Sequence, residues 1–440
     1  MQSVKTNLII FVSFFLISCF GPIKEINYQI EDSFDDPNIF VQNPTPINPD
    51  FVNSFPVTID LVGSFSENTS RNIYVAYSND CLFYASSSTG ILSSYDLNKK
   101  SIKWSYKHNN QITSGLTSGF GYLFFVDYLG YSVALSMDGQ LVWKSIVGEV
   151  FSPPLVINEK TVIFRTSDNN FKALSLIDGS KLWEYKAPSS PLPVRSWGEL
   201  TYSDGILYSG ISSGKVIAIN SDSGLLLWEN TFSSPKGTSE LERSNDMTSK
   251  VLQDSFALYV VSSKGHVAAI SKIDGSILWS RPLSSFIGMS HDDDKLFITH
   301  NTGSIYALSK DTSKVIWRNS DLIGRDVSRP FIYQNFVVVS DYEGYLHFLE
   351  LSTGRIKTRN KVSDQTILNL LKTKESEYLI AVSINGDINL VNLDLNNFSF
   401  DNNSINAKDN IYLEDINESN TKDNNSKNDN SIIDSLIFWD

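Results

Sequence analysis

Leu207-Tyr208-Ser209-Gly210-Ile211-Ser212-Ser213-Gly214-Lys215-Val216-Ile217-Ala218-Ile219 reads as two short apolar strands joined by a Gly-containing turn. Asp222-Ser223-Gly224 then turns the chain into a further strand, Leu225-Leu226-Leu227-Trp228. The same unit recurs elsewhere. Gly130-Tyr131-Ser132-Val133-Ala134-Leu135 leads to Trp143, Gly265-His266-Val267-Ala268-Ala269-Ile270 to Trp279, and Gly303-Ser304-Ile305-Tyr306-Ala307-Leu308 to Trp317. No segment has a 3.6-residue apolar period, and four short strands per ~40 residues is the pattern of a β-propeller blade.

The anchoring positions are Gly90, Gly130, Asn170, Gly214, Gly265, Gly303, Gly344 and Gly386, spaced 40, 40, 44, 51, 38, 41 and 42 residues apart. Each unit closes on a Trp: Trp104, Trp143, Trp183, Trp228, Trp279 and Trp317. Thr358 takes that place in the seventh, and the eighth fades into the tail. The expected fold is therefore all-β, an eight-bladed propeller over residues 56–395 with four-stranded antiparallel blades. A blade cannot bury both faces alone, so its neighbours cover it. Gly permits the turn, Ala lets blades approach, and Trp fills the space between them. The strand at Val57-Thr58-Ile59-Asp60-Leu61 is placed to complete the last blade beside Asn385–Val391, closing the ring without a disulfide.

Outside the repeats, Lys5 and the apolar run Leu8–Ile17 have the layout of a secretory signal, residues 1–18, too short to span a bilayer. Leu16-Ile17-Ser18-Cys19 resembles the bacterial lipobox, which makes Cys19 the acylated N-terminus of the mature chain. Each buried acyl methylene contributes about 0.8 kcal/mol to anchoring. Phe20 follows, not Asp, which by resemblance to enterobacterial sorting implies the outer membrane. Residues 19–55, with Asn43-Pro44-Thr45-Pro46, read as a lipidated tether. Residues 396–440, rich in Asn and Asp, cannot offset chain entropy and read as a disordered tail. That tail ends in Ile432–Trp439, which either docks back on the propeller or adds a strand to a partner's sheet edge.

The chemistry expected of an enzyme is missing from the text. The net charge is −13, which argues against nucleic acid as a partner. The five histidines fall at unrelated repeat positions. Asp292-Asp293-Asp294 lacks the spacing of a calcium loop and reads as a polar turn. Neither a nucleophile elbow nor a phosphate or dinucleotide loop occurs. The units resemble those of pyrroloquinoline quinone (PQQ)-dependent dehydrogenases, also eight-bladed, whose adjacent Cys pair Cys19 and Cys81 cannot form. No cofactor or metal is expected. A quinoprotein-like enzyme and a generic cell-envelope scaffold or adhesion propeller are the competing readings.

Two units are overlong, by about five residues after Trp183 and about eleven after Trp228. The surplus falls in 188–197 and 233–246, at equal phase in neighbouring blades, hence on one face. Each mixes Arg with apolar side chains, a composition suited to interface anchors.

Leu192-Pro193-Val194-Arg195 is similar to a Leu-x-Leu-Arg segment of the BamB family, and Ser239-Glu240-Leu241-Glu242-Arg243-Ser244-Asn245-Asp246 to its Glu-Ile-Asp-Arg-Leu-Ser-Asp segment. Gly324-Arg325, Arg329-Pro330 and Glu343-Gly344-Tyr345-Leu346-His347 resemble its seventh-blade text. The likeness covers about residues 57–395. It implies a non-enzymatic lipoprotein on the periplasmic face of the outer membrane of a Gram-negative bacterium, helping β-barrel proteins to assemble. It implies contacts from Leu192, Val194, Arg195, Arg243 and Asp246 to the POTRA domains of BamA, the company of other assembly lipoproteins, and unfolded outer-membrane proteins as clients. Thr248 stands where the family commonly has a second Asp, and Val194 where it has Leu.

Overall fold

The structure, a computed structural model, describes residues 44–64, 73–78, 81–188, 198–211, 214–233, 249–263, 265–373, 378–396 and 398. The leader, Cys19, Leu192, Val194, Arg195, Arg243, Asp246, Thr248 and the tail beyond residue 398 lie outside these.

The described residues form eight four-stranded antiparallel sheets. Blades one to seven each take four consecutive strands, over 73–107, 117–146, 155–186, 201–231, 252–282, 288–319 and 331–361. The eighth is composite. Its first three strands lie within 367–393, and its fourth, Val57–Ser64, comes from the other end of the fold. Val57 pairs with Leu393 and Ile59 with Val391, which is the closure the repeat implies. The first strands of successive blades adjoin around the centre and the fourth strands form the rim.

Burial follows from the strands facing two neighbours. The middle strands are apolar on both sides, as in Leu123, Phe124, Phe125 and Val126, all wholly buried. The core is accordingly a series of inter-blade clusters. Ile163, Phe171 and Trp183 of blade three pack on Leu207, Ile217 and Ile219 of blade four. Free Cys81 is buried in such a layer, between blades one and two, and Lys103 Nζ lies 3.1 Å from its Sγ.

The repeated Trp does three jobs. It stands directly opposite a small residue on the third strand: Ser94 for Trp104, Ala134 for Trp143, Ala218 for Trp228, Ala307 for Trp317. Its Nε1 donates to the first backbone carbonyl of the third-to-fourth turn of the next blade, at 2.6–3.2 Å in all six cases. In five of the six its ring also lies on a turn glycine of that blade. A Cβ on Gly139, Gly179, Gly224, Gly275 or Gly354 would come within 2.3–2.6 Å of the ring. Each Trp thus bonds one blade to the next.

One anchor needs correction. In blade three the left-handed residue of the second-to-third turn is Asn169, with φ 59°, not Asn170. Asn tolerates that region better than other L-residues, and Ala187 N–H donates to the Asn169 carbonyl as Val147 N–H does to that of Gly130. Asp292–Asp294 is a turn between strands of blade six, where Asp292 Oδ1 accepts the Asp294 and Lys295 N–H groups.

Candidate docking face

Strands alternate in direction, so each crossing from a fourth strand to the next first strand passes over the second-to-third turns. Phe232 N–H donates to the Gly214 carbonyl, and Leu283 N–H to that of Gly265. The described ends of the crossings therefore share one face, including those of the two overlong ones. Their middles, with all five predicted contact residues, lie outside the described residues, but their roots are well defined.

Those roots are buried and tied together. Ala187 and Leu200 bracket the first long crossing, Phe232 and Val251 the second, and all four are at most 6% exposed. Thr201 Oγ1 donates to the Val251 carbonyl at 2.5 Å, and Gln253 Nε2 to the Tyr202 carbonyl at 3.0 Å. The exit of one crossing is thus hydrogen-bonded to the exit of the next. Arg165, 4% exposed, reaches from blade three to the Gly198 carbonyl at 3.3 Å and to Asn169 Oδ1 at 2.9 Å. A buried guanidinium needs such acceptors to offset its desolvation.

A charged cluster lies beside these roots. Glu199 faces Lys250 at 3.4 Å and Arg329 at 3.8 Å, all three between a third and a half exposed. The Arg329 side chain passes close to Gly288, where an added Cβ would lie 3.2 Å from its Cδ. Half-exposed pairs of this kind add little stability, so both cations remain available to an outside carboxylate.

Farther round the same face, the seventh-blade residues converge. Arg325 Nε donates to Asp341 Oδ2 at 2.8 Å, Nη1 to the Thr45 carbonyl at 3.0 Å, and Nη2 binds Glu343. His347 Nε2 lies 2.9 Å from Asp341 Oδ2, with both side chains wholly buried. Burial alone would raise the Asp341 pKa. Hydrogen bonds from His347, Tyr345 N–H and Arg325 outweigh that and hold it below the usual carboxylate range. Burial pushes the His347 pKa down, Arg359 and Arg325 add to this, and Asp341 opposes it. The contact is therefore a hydrogen bond from a neutral imidazole. This network holds a turn and a crossing in place.

Sequence reasoning missed Arg165, Glu199 and Lys250, which have no period. Arg329 was visible only through family likeness. Among the described residues no group of three or more His, Cys, Asp or Glu is placed to hold a metal ion.

A ring of eight blades, with two lengthened crossings rooted side by side, defines an eight-bladed propeller of the PQQ-like repeat class. The family model described as outer membrane protein assembly factor BamB matches residues 88–319, and the chain belongs to that family. It is 32% identical over 263 residues to the assembly factor BamB of Shewanella oneidensis, covering 59% of this chain and 66% of that protein. It is likewise 32% identical over 287 residues to the Burkholderia pseudomallei protein of that name, covering 64% and 75%. Among solved structures, BamB from Moraxella catarrhalis superposes with TM-score 0.69 at 23% identity, covering 76% of this chain and all of that one. A europium-containing methanol dehydrogenase superposes at 0.59 with 13% identity, covering 74% and 85%. Those two likenesses show the fold.

Proposed function

We propose that this chain is a lipid-anchored outer-membrane scaffold, facing the periplasm, that promotes β-barrel protein assembly by binding the POTRA domains of BamA. It works by binding, without catalysis, and sits beside other lipoproteins of the assembly machinery. Its relatives are named outer membrane protein assembly factors, which supports the assembly role. The observation that carries the docking site is the Thr201–Val251 hydrogen bond, which makes one base for the two long crossings. A rigid base lowers the ordering cost of presenting two loops together. Leu192, Val194, Arg195, Arg243 and Asp246 are the contacts, Cys19 is the lipid anchor, and unfolded barrel strands are the clients.

Arg195→Glu should abolish co-purification with BamA from membranes while leaving the folded chain and its membrane association unchanged. Retention of BamA at the wild-type level would overturn the interface. Cys19→Ser should release the chain from the membrane fraction.

A further inference from the structure

Blade eight has no third-to-fourth turn, because its third strand ends at Leu393 and its fourth begins at Val57. Blade seven is therefore the one blade whose fourth strand faces a neighbour without the turn on which a Trp would rest. Its row has changed to match. Thr358 stands opposite Phe348, where the Trp-bearing blades pair Trp with Ala or Ser. The large and small residues have exchanged strands.

The space is filled from the chain ends. Phe55, immediately upstream of the closing strand, is 4% exposed. Its ring lies 5.0 Å from Phe336, 6.4 Å from Phe348 and 5.0 Å from Phe398, just beyond the last strand. Thr358 Oγ1 donates to the Phe55 carbonyl at 3.0 Å, as each Trp Nε1 donates to the carbonyl of a neighbouring blade. The preceding residues continue along the rim of blade seven. Ser54 N–H donates to the Lys357 carbonyl at 2.8 Å, and Asn53 Oδ1 accepts the Arg359 N–H at 2.9 Å. The Arg359 guanidinium lies 4.1 Å above the Phe51 ring. At the docking face, Thr45 N–H donates to the Ile323 carbonyl, and Arg325 holds the Thr45 carbonyl.

We infer that residues 45–55 form a closing strap: Phe55 replaces the missing seventh Trp, and the strap roots the N-terminal segment on the crossing face beside Arg325. The strap covers the exposed ladder edge of blade seven, an edge otherwise open to pairing. It also makes the joint between blades seven and eight depend on a segment that precedes the repeats. This inference is independent of any partner.

Hydrogen exchange on the purified full-length chain tests it. Phe55→Ala should speed exchange by about tenfold or more in Ile356–Lys361 and Asp387–Leu393, with blades two to five unchanged. Thr358→Val, which keeps the volume and removes the hydroxyl, should give the same regional pattern more weakly. In the background Phe348→Ala/Thr358→Trp, which restores the ordinary row, adding Phe55→Ala should cost less than it does in the parent. Uniform acceleration in all blades, no change in those two strands, or equal cost in both backgrounds would each overturn the strap.

Discussion

Gly224→Ala should destabilise the protein by about 1–3 kcal/mol more than Gly205→Ala, although both residues are left-handed glycines at strand turns. Gly224 has φ 73° and Gly205 φ 80°, so an alanine at either position incurs about 1–2 kcal/mol of backbone strain. Their surroundings differ. A Cβ at Gly205 would meet nothing within 4 Å, whereas one at Gly224 would lie 2.6 Å from Trp183 Cε3 and 2.7 Å from Cδ2. The ring has no retreat. Its Nε1 donates to the Ser221 carbonyl at 2.8 Å, and the ring packs among Ile163, Leu207 and Ile219. Overpacking of this kind adds about 1–3 kcal/mol. With an m-value of about 3 kcal/mol/M in urea, the Gly224→Ala midpoint should fall about 0.3–1 M below that of Gly205→Ala.

Equilibrium urea unfolding followed by Trp fluorescence measures this. Trp183→Leu supplies the internal control, because in that background the added methyl has room, and the excess cost of Gly224→Ala should largely vanish. Equal midpoints for the two glycine variants would refute the claim that Trp183 is seated on the next blade's turn. Full additivity with Trp183→Leu would refute it too.

Stability should decline as acid is added in two steps set by the His347–Asp341 pair. The folded His347 pKa lies below its unfolded value, so the unfolded chain binds the extra proton and stability falls as pH drops below about 6.5. The Asp341 pKa is also depressed, so its contribution is present above about pH 4 and lost as pH falls through the folded value. His347→Gln should flatten the urea midpoint between pH 7 and 5, and an unchanged slope would locate the acid sensitivity elsewhere. At the docking face, Lys250→Glu and Arg329→Glu should each weaken BamA binding by about threefold to tenfold, less so as salt rises. Salt-independent or unchanged affinity in both would remove the charged cluster from the interface.

The ring was legible because its determinants are local and repeat. A turn Gly, a small residue and a Trp at fixed phase specify a blade, and strand Val57–Ser64 lies upstream of the first unit, placed to complete the last blade beside Asp387–Leu393. The seat of each Trp was not legible, since it lies in the following blade. Trp183 rests on Gly224 and Trp228 on Gly275, across the longest crossings, where the phase slips. In blade six that turn holds Ser313, non-Gly at φ 58°, so the Gly signal disappears although the turn persists. Thr358 reads as decay of the repeat, while its row with Phe348 is a compensated exchange. Arg165–Gly198 and Arg329–Glu199 are long-range side-chain contacts. No spacing rule reports them.

Why length accumulated in the crossings follows from what holds the other turns. The second-to-third turns are pressed against the crossing that leaves their own blade. A Cβ at Gly214 would come within 2.1 Å of the Ser233 carbonyl oxygen, and one at Gly344 within 2.2 Å of that of Ser363. The third-to-fourth turns carry the previous blade's Trp. An inserted residue in the first breaks the seat of the outgoing crossing, and in the second a seat that bonds two blades. Each long crossing is tied at one end by the hydrogen bond back to the turn and at the other by the next first strand, and its extra residues fall between those ties. The two neighbouring long crossings share a base. Arg195 and Arg243 lie in the surplus sequence, between roots that the ring itself buries. That is the physical ground for expecting Arg195→Glu to cost partner binding and leave the ring intact.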